Sequence, residues 1–329
     1  MNILITGAAG FIGSTTAEQL IKEGHQVIGV DNFDPYYDCK IKENNIKALQ
    51  KSSLFSLYEL DILDYEKFEK VFKENKIDYV LHLAAKAGVR PSIEDPIGYQ
   101  NVNNLGTNNL YELCRKYGVK KLVLASSSSV YGNNKVVPFK ETDVVDYAIS
   151  PYAASKKANE VLAHVYHSLF DMDIILLRFF TVYGPRQRPD LAINKFTRLI
   201  LNNEPIPLYG DGTTSRDYTY IDDIVSGILL SFKYLKEHQN VYEIINLGSN
   251  NPISLIEMVQ TIEKVLNKNA IINRLPMQPG DVDITYADIS KAKKLLGYNP
   301  SITFKEGIEQ FANWYLKWEN PWVTNRKEH

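Results

Sequence analysis

The 329-residue chain sets 37 lysine and arginine residues against 39 aspartate and glutamate residues, a formal net charge of -2. That balance argues against nucleic acid as a partner, and a chain this long with 44% hydrophobic residues can bury a large core in one or two domains. Two cysteines, Cys39 and Cys114, make neither a disulfide framework nor a metal-ligand cluster, so no metal is expected, and reduced thiols in the cytoplasm are.

The chain is expected to enter a strand at once, without a basic leader or cleavage site. In chain order, NILIT, QVIGV, DYVLHLA, KLVLAS and DIILLRFF read as short, uniformly apolar strands of the kind covered on both faces. Amphipathic stretches alternate with them: FIGSTTAEQLIKEG, DYEKFEKVFKEN, TNNLYELCRKYG and AASKKANEVLAHVYHSLF. This alternation predicts an α/β fold with a doubly wound, Rossmann-like parallel sheet. After Phe180, VYGPRQRPD and PIPLYGDGTTSRDYTY read as loops. IDDIVSGILLSFKYLKE then predicts a helix, YEIINLG a strand, and SLIEMVQTIEKVLN and SKAKKLLGY further helices. The expected division is a first domain over 1–180, with roughly 216–248 returning to it, and a smaller interleaved α/β lobe over most of 181–329. The apolar runs are too short to span a bilayer, so no membrane partner is expected, and the terminal NRKEH is expected to fray.

Gly7, Gly10 and Gly13 lie between the first strand and the first helix, where a glycine turn can bring backbone and helix N-terminal amides against a pyrophosphate. Phe11 and Ile12 belong to the same turn. Asp31 ends the next strand, with Asn32 following it. An acid there accepts bonds from a ribose 2′-hydroxyl and repels a 2′-phosphate, which favours NAD over NADP. Further along, Tyr152-Ala-Ala-Ser-Lys156 follows a serine run at 126–129. A phenol beside an ammonium ionises more readily, and such a phenolate can take a proton from an alcohol.

The segments TGAAGFIG (6–13), HLAA (82–85), SSSSVYG (126–132), YAASK (152–156), RDYTYIDD (216–223) and PGDV (279–282) together resemble the extended short-chain dehydrogenase/reductase family. Within it the chain is most similar to the nucleotide-sugar 4-epimerases, over essentially its whole length. The resemblance implies that Tyr152 is the acid/base, that Lys156 lowers its pKa and holds the nicotinamide ribose, and that Ser127 bridges the sugar hydroxyl and the phenol. It also implies that Asp61 and Ile62 flank the adenine, that Leu83, Ala84 and Ala85 line the dinucleotide path, that Asn103 steadies the cofactor, and that Phe179 packs near the nicotinamide. Related dehydratases and decarboxylases carry an acid just before V-Y-G, where this chain has Ser129. Epimerisation at C4 of a UDP-sugar, with NAD used catalytically, is therefore expected.

AGVRPSIEDP (87–96), GPRQRPDLA (184–192) and NFDPYYD (32–38) extend the resemblance to UDP-glucuronate 4-epimerases. Thr181, Ser128 and Ser129 are then the expected donors to the uronate carboxylate. Arg90 and Arg188 are candidates for the carboxylate or the diphosphate, a choice left open by Gln278, which stands where galactose epimerases usually carry arginine. Arg216 is expected at the diphosphate, Tyr209 beside the uracil and Asp281 at the ribose. The alternatives are an epimerase of UDP-glucose or UDP-N-acetylglucosamine, and an inactive dinucleotide-binding protein. A homodimer is expected by analogy with the relatives.

Overall fold

The computed structural model describes residues 1–276 and 282–317. Gln278, Asp281 and the NRKEH tail lie outside the described residues. Twelve strands are present among the described residues: β1 (Asn2–Thr6), β2 (Gln26–Asp31), β3 (Phe55–Glu59), β4 (Tyr79–His82), β5 (Lys121–Ser127), β6 (Asp173–Phe179), β7 (Thr181–Tyr183), β8 (Pro205–Tyr209), β9 (Ser215–Tyr220), β10 (Tyr242–Leu247), β11 (Pro252–Ser254) and β12 (Ile271–Leu275).

Seven of them form one sheet in the order β10-β6-β5-β4-β1-β2-β3, with every pairing parallel. The strand alternation explains why the runs are apolar throughout: successive residues serve opposite faces. Leu4, Ile28, Val80, Leu122 and Ile174 pack with Phe68, Leu110 and Tyr166 in one core. Ile3, Ile5, Val123, Ile175 and Leu177 pack with Leu20, Ile224 and Ile228 in the other. The chain reverses direction across the sheet between β1 and β4, and crevices of parallel sheets open at the carboxyl ends of strands flanking such a point. Gly7 and Leu83 stand there.

The remaining strands form the three-stranded sheet β11-β9-β7 and the pair β12-β8. PIPLYGDGTTSRDYTY is thus two strands rather than a loop. Pro205 and Pro207 are tolerated because, among the described residues, β8 is paired on one side only. The strand β3 also departs from the sequence reading: it lies at the sheet's edge, and its half-exposed FSLYE lacks a continuous apolar run. Among the described residues, no helix is long and apolar enough to cross a membrane.

Candidate active site

The glycine turn is built by contact. Gly7 has φ +73°, and a Cβ there would lie 2.9 Å from the Ala84 nitrogen. A Cβ at Gly13 would lie 2.1 Å from the Gly7 carbonyl oxygen. Gly10 is the N-cap of the Phe11–Lys22 helix and offers no side chain to its first amides, and Ile12 lies in that first turn. A cradle this shallow, open to helix N–H groups, fits the pyrophosphate of a dinucleotide.

Asp31 is buried, its carboxylate accepting from the backbone N–H groups of Ala9 (3.0 Å) and Phe33 (2.9 Å). Two bonds leave lone pairs for ribose hydroxyls. The buried Lys42 Nζ stands 3.7 Å from Asp31, a partner that no motif in the sequence marks. Asn32 donates to Asp61 (2.9 Å), joining the ends of β2 and β3. Ile62 is buried against Gly106, where a Cβ would come within 2.6 Å of it.

Leu83, Ala84 and Ala85 leave β4 half-buried, with the Ala84 N–H donating to Thr6 Oγ1 at 3.2 Å. Asn103 holds the next residue: its amide accepts from the Lys86 N–H and donates to the Lys86 carbonyl and to Ser155. With these bonds made to protein, Asn103 steadies the wall of the crevice. It sits in a π-helical turn, Asn101–Leu105, an irregularity common at functional sites. Below this wall His82 is wedged between Thr6 and Thr107. Burial, with the charge of Lys156, takes its pKa down to about 3, so it is neutral.

The Pro151–Phe170 helix begins under a Ser150 cap and presents Tyr152 and Lys156 to the end of β5. Lys156 Nζ donates to the Ala125 carbonyl (2.9 Å), and burial brings its pKa down to about 8. Tyr152 is shifted the other way: burial raises its pKa, while a hydrogen bond with Ser127 and the charge of Arg188 act against that rise. Lys156 is turned to a carbonyl of β5, and Ser127 and Arg188 supply the opposing effect. Tyr99, unmarked in the sequence, packs edge-on against Tyr152 at 6.2 Å between ring centroids.

Ser127 also bonds to Ser129 through its hydroxyl (3.1 Å), and Ser128 and Ser129 are half-buried in the turn after β5. Phe179 pairs in register with Ser127 and lies in the core, and Thr181 opens β7 just beyond it. Arg188 is held by Asp190 (2.7 Å), reaches the Ala87 carbonyl at 3.4 Å and stacks on Tyr36 at 4.9 Å. Arg90, exposed, stacks on Tyr209 at 5.3 Å, so two separately predicted substrate residues meet. Arg216 donates to the Ser215 carbonyl at 2.9 Å.

The parallel sheet, the glycine cradle and the Ser127–Tyr152–Lys156 grouping define an extended short-chain dehydrogenase/reductase. A family model described as GDP-mannose 4,6 dehydratase matches residues 4–311, and the chain belongs to that family. It is 47% identical to a UDP-glucuronate 4-epimerase of Thermodesulfobacterium geofontis, covering 94% of this chain and 95% of the relative. The crystal structure of a UDP-glucuronic acid 4-epimerase from Bacillus cereus, in complex with UDP-glucuronic acid and NAD, superposes with a TM-score of 0.89 at 38% identity, over 95% of this chain and 98% of that one. A UDP-glucose 4-epimerase from Thermotoga maritima gives 0.87 at 33% identity, over 96% and 99%.

Proposed function

We propose that this protein inverts C4 of UDP-glucuronate to give UDP-galacturonate, through a transient 4-keto sugar and with NAD as a resident cofactor. The observation that carries this reading is the gathering of Ser127, Tyr152 and Lys156 at the carboxyl end of β5, where Ser127 acts on the phenol and Lys156 is held by the Ala125 carbonyl. Tyr152 takes the O4 proton, relayed or oriented by Ser127, and returns it after the ring has presented its other face. NAD, when bound, accepts the C4 hydrogen with its electron pair and gives it back, so no net oxidation occurs. Gly7, Gly10 and Gly13 would hold its pyrophosphate, and Asp31 its adenosine ribose.

The absence of an acid at Ser129 leaves elimination without its proton carrier, which supports epimerisation over dehydration. A 4-keto uronate is a β-keto acid that loses carbon dioxide when the breaking bond overlaps the ketone. Thr181, Ser128 and Ser129 hold the carboxylate near the ketone plane, and Arg90, Arg188 and Arg216 serve the charged groups of the substrate. Residues 1–180 with the returning segment form the cofactor lobe, and most of 181–329 the sugar-nucleotide lobe.

A homodimer is supported by an apolar stripe at helical spacing: Val161, Val165 and Leu169 are 56%, 40% and 67% exposed on the Tyr152 helix. The neighbouring Gly106–Tyr117 helix is locked to it by Tyr111 stacked on Tyr166 at 4.5 Å. Free thiols and a sugar nucleotide as substrate support a cytoplasmic setting, with polysaccharide synthesis as the use of the product. The test is incubation of the purified protein with UDP-glucuronate, with and without added NAD, and with UDP-glucose and UDP-N-acetylglucosamine, reading products by NMR. UDP-galacturonate is expected; turnover of the neutral sugars alone would overturn the reading.

A further inference from the structure

One rung below Ser127, three adjacent strands carry a row of buried polar side chains. Ser126 of β5 pairs in register with Arg178 of β6, and Arg178 with Asn246 of β10. The rung above is Ser127, Phe179 and Leu247. Glu160, from the Tyr152 helix, closes the lower row. Its carboxylate accepts from Ser126 Oγ (2.7 Å) and takes two parallel bonds of 2.8 Å from Arg178. Arg178 donates onward to Tyr131 (2.9 Å), whose hydroxyl donates to Asn246 (2.7 Å). Glu160 and Arg178 are each 1% exposed.

Burying two charges is costly even when they pair well, and an apolar pair of similar volume would hold the fold equally well. The position of the pair suggests what it does instead. Lys156 and Glu160 are four residues apart on one helix face and take hold of consecutive residues of β5: Lys156 the Ala125 carbonyl, Glu160 the Ser126 hydroxyl. The lysine, however, is also needed at the cofactor. The glutamate contact is free of that duty. Ser127 is the next residue along, turned to the other face by strand alternation. Its register against Tyr152 therefore depends on how firmly Ser126 is tied to the helix.

We propose that Glu160, with Arg178 as its counter-ion, is a positioning residue for epimerisation, holding Ser126 and thereby setting Ser127 against Tyr152. This rests on the reading of Tyr152 and Ser127 as the proton-transfer pair. Arg178 is the direct partner of the Glu160 carboxylate, and burial lowers the pKa of Lys156, one turn away. Glu160 acts through geometry.

The test uses Ser126→Ala, which leaves the ion pair intact. Epimerisation of UDP-glucuronate is expected to lose about tenfold in kcat with KM within about twofold, as small misplacements of reacting groups do. NAD content and melting temperature should match the unaltered protein. The ascending limb of the pH–rate profile should move to higher pH, because a loosened Ser127 counters less of the burial effect on the phenol. Glu160→Gln should lower kcat at least as far, and adding Ser126→Ala to it should cost little more. A Ser126→Ala protein with normal kcat and pH profile overturns the proposal, as do additive effects in the double variant, or a rate loss matched by loss of NAD. Tyr152→Phe, run alongside, separates the two readings. If that variant still epimerises, the proton-transfer assignment has failed. If it is dead and the Ser126→Ala variant normal, only the positioning role has.

Discussion

Arg178 and Glu160 meet through two hydrogen bonds of 2.8 Å at a point where neither side chain reaches solvent. Arg178→Met would leave a buried carboxylate with Ser126 as its only side-chain donor among the described residues. Such a break costs about 3–5 kcal/mol, whereas a matched neutral pair is tolerated. Urea unfolding of Arg178→Met should show that loss, and Arg178→Met combined with Glu160→Gln should recover most of it.

Gly13 is helical, and alanine there would ordinarily favour the helix by about 1 kcal/mol. Here the added carbon falls 2.1 Å from a backbone carbonyl, which cannot swing aside. Sterics win, so Gly13→Ala should unfold earlier by roughly 1–3 kcal/mol and copurify with less NAD, measured by absorbance after release.

Lys156 has a folded pKa of about 8 against an ordinary 10.5. Below pH 8 both states carry the proton, and the cost of burying it is present in full. Between about pH 8 and 10.5 the unfolded chain binds more protons, so stability contributed by this group rises with pH. Lys156→Met should flatten that rise. The difference between the two stability–pH curves, from chemical denaturation of NAD-free protein, isolates Lys156 from the tyrosines that titrate nearby. A difference curve that falls over this window would contradict the assignment.

Thr181→Val keeps shape and removes the donor proposed for the uronate carboxylate. Decarboxylation of the 4-keto sugar should then compete better, raising the UDP-pentose by-product severalfold relative to the epimer in NMR product analysis. An unchanged product ratio would remove Thr181 from that role.

Val165→Glu places a charge in the middle of the exposed stripe formed by Val161, Val165 and Leu169. Light scattering should report a shift from dimer to monomer, with the fold retained by circular dichroism. A monomeric parent protein would refute the dimer directly.

Much of the architecture was legible because its signals are local. Five uniformly apolar strands, the glycine turn and Tyr152-Ala-Ala-Ser-Lys156 each follow from periodicity or spacing over a few residues. β3 and β8 were not legible, since an edge strand has one exposed side and carries mixed residues. Lys42 beside Asp31 and Tyr99 against Tyr152 were also out of reach, because each partnership joins segments with no common pattern.

By itself the amino-acid order determined which residues could turn tightly, cap a helix or exchange a proton, since those capacities are properties of single side chains and short spacings. Only the tertiary structure decided where Lys156 points and what acts on Tyr152. It turned the ammonium to Ala125 and brought Ser127 and Arg188 to the phenol. It also joined Glu160 to Ser126 and Arg178 across neighbouring strands. Direction and desolvation are set by everything packed around a group, and no stretch of chain contains its own surroundings.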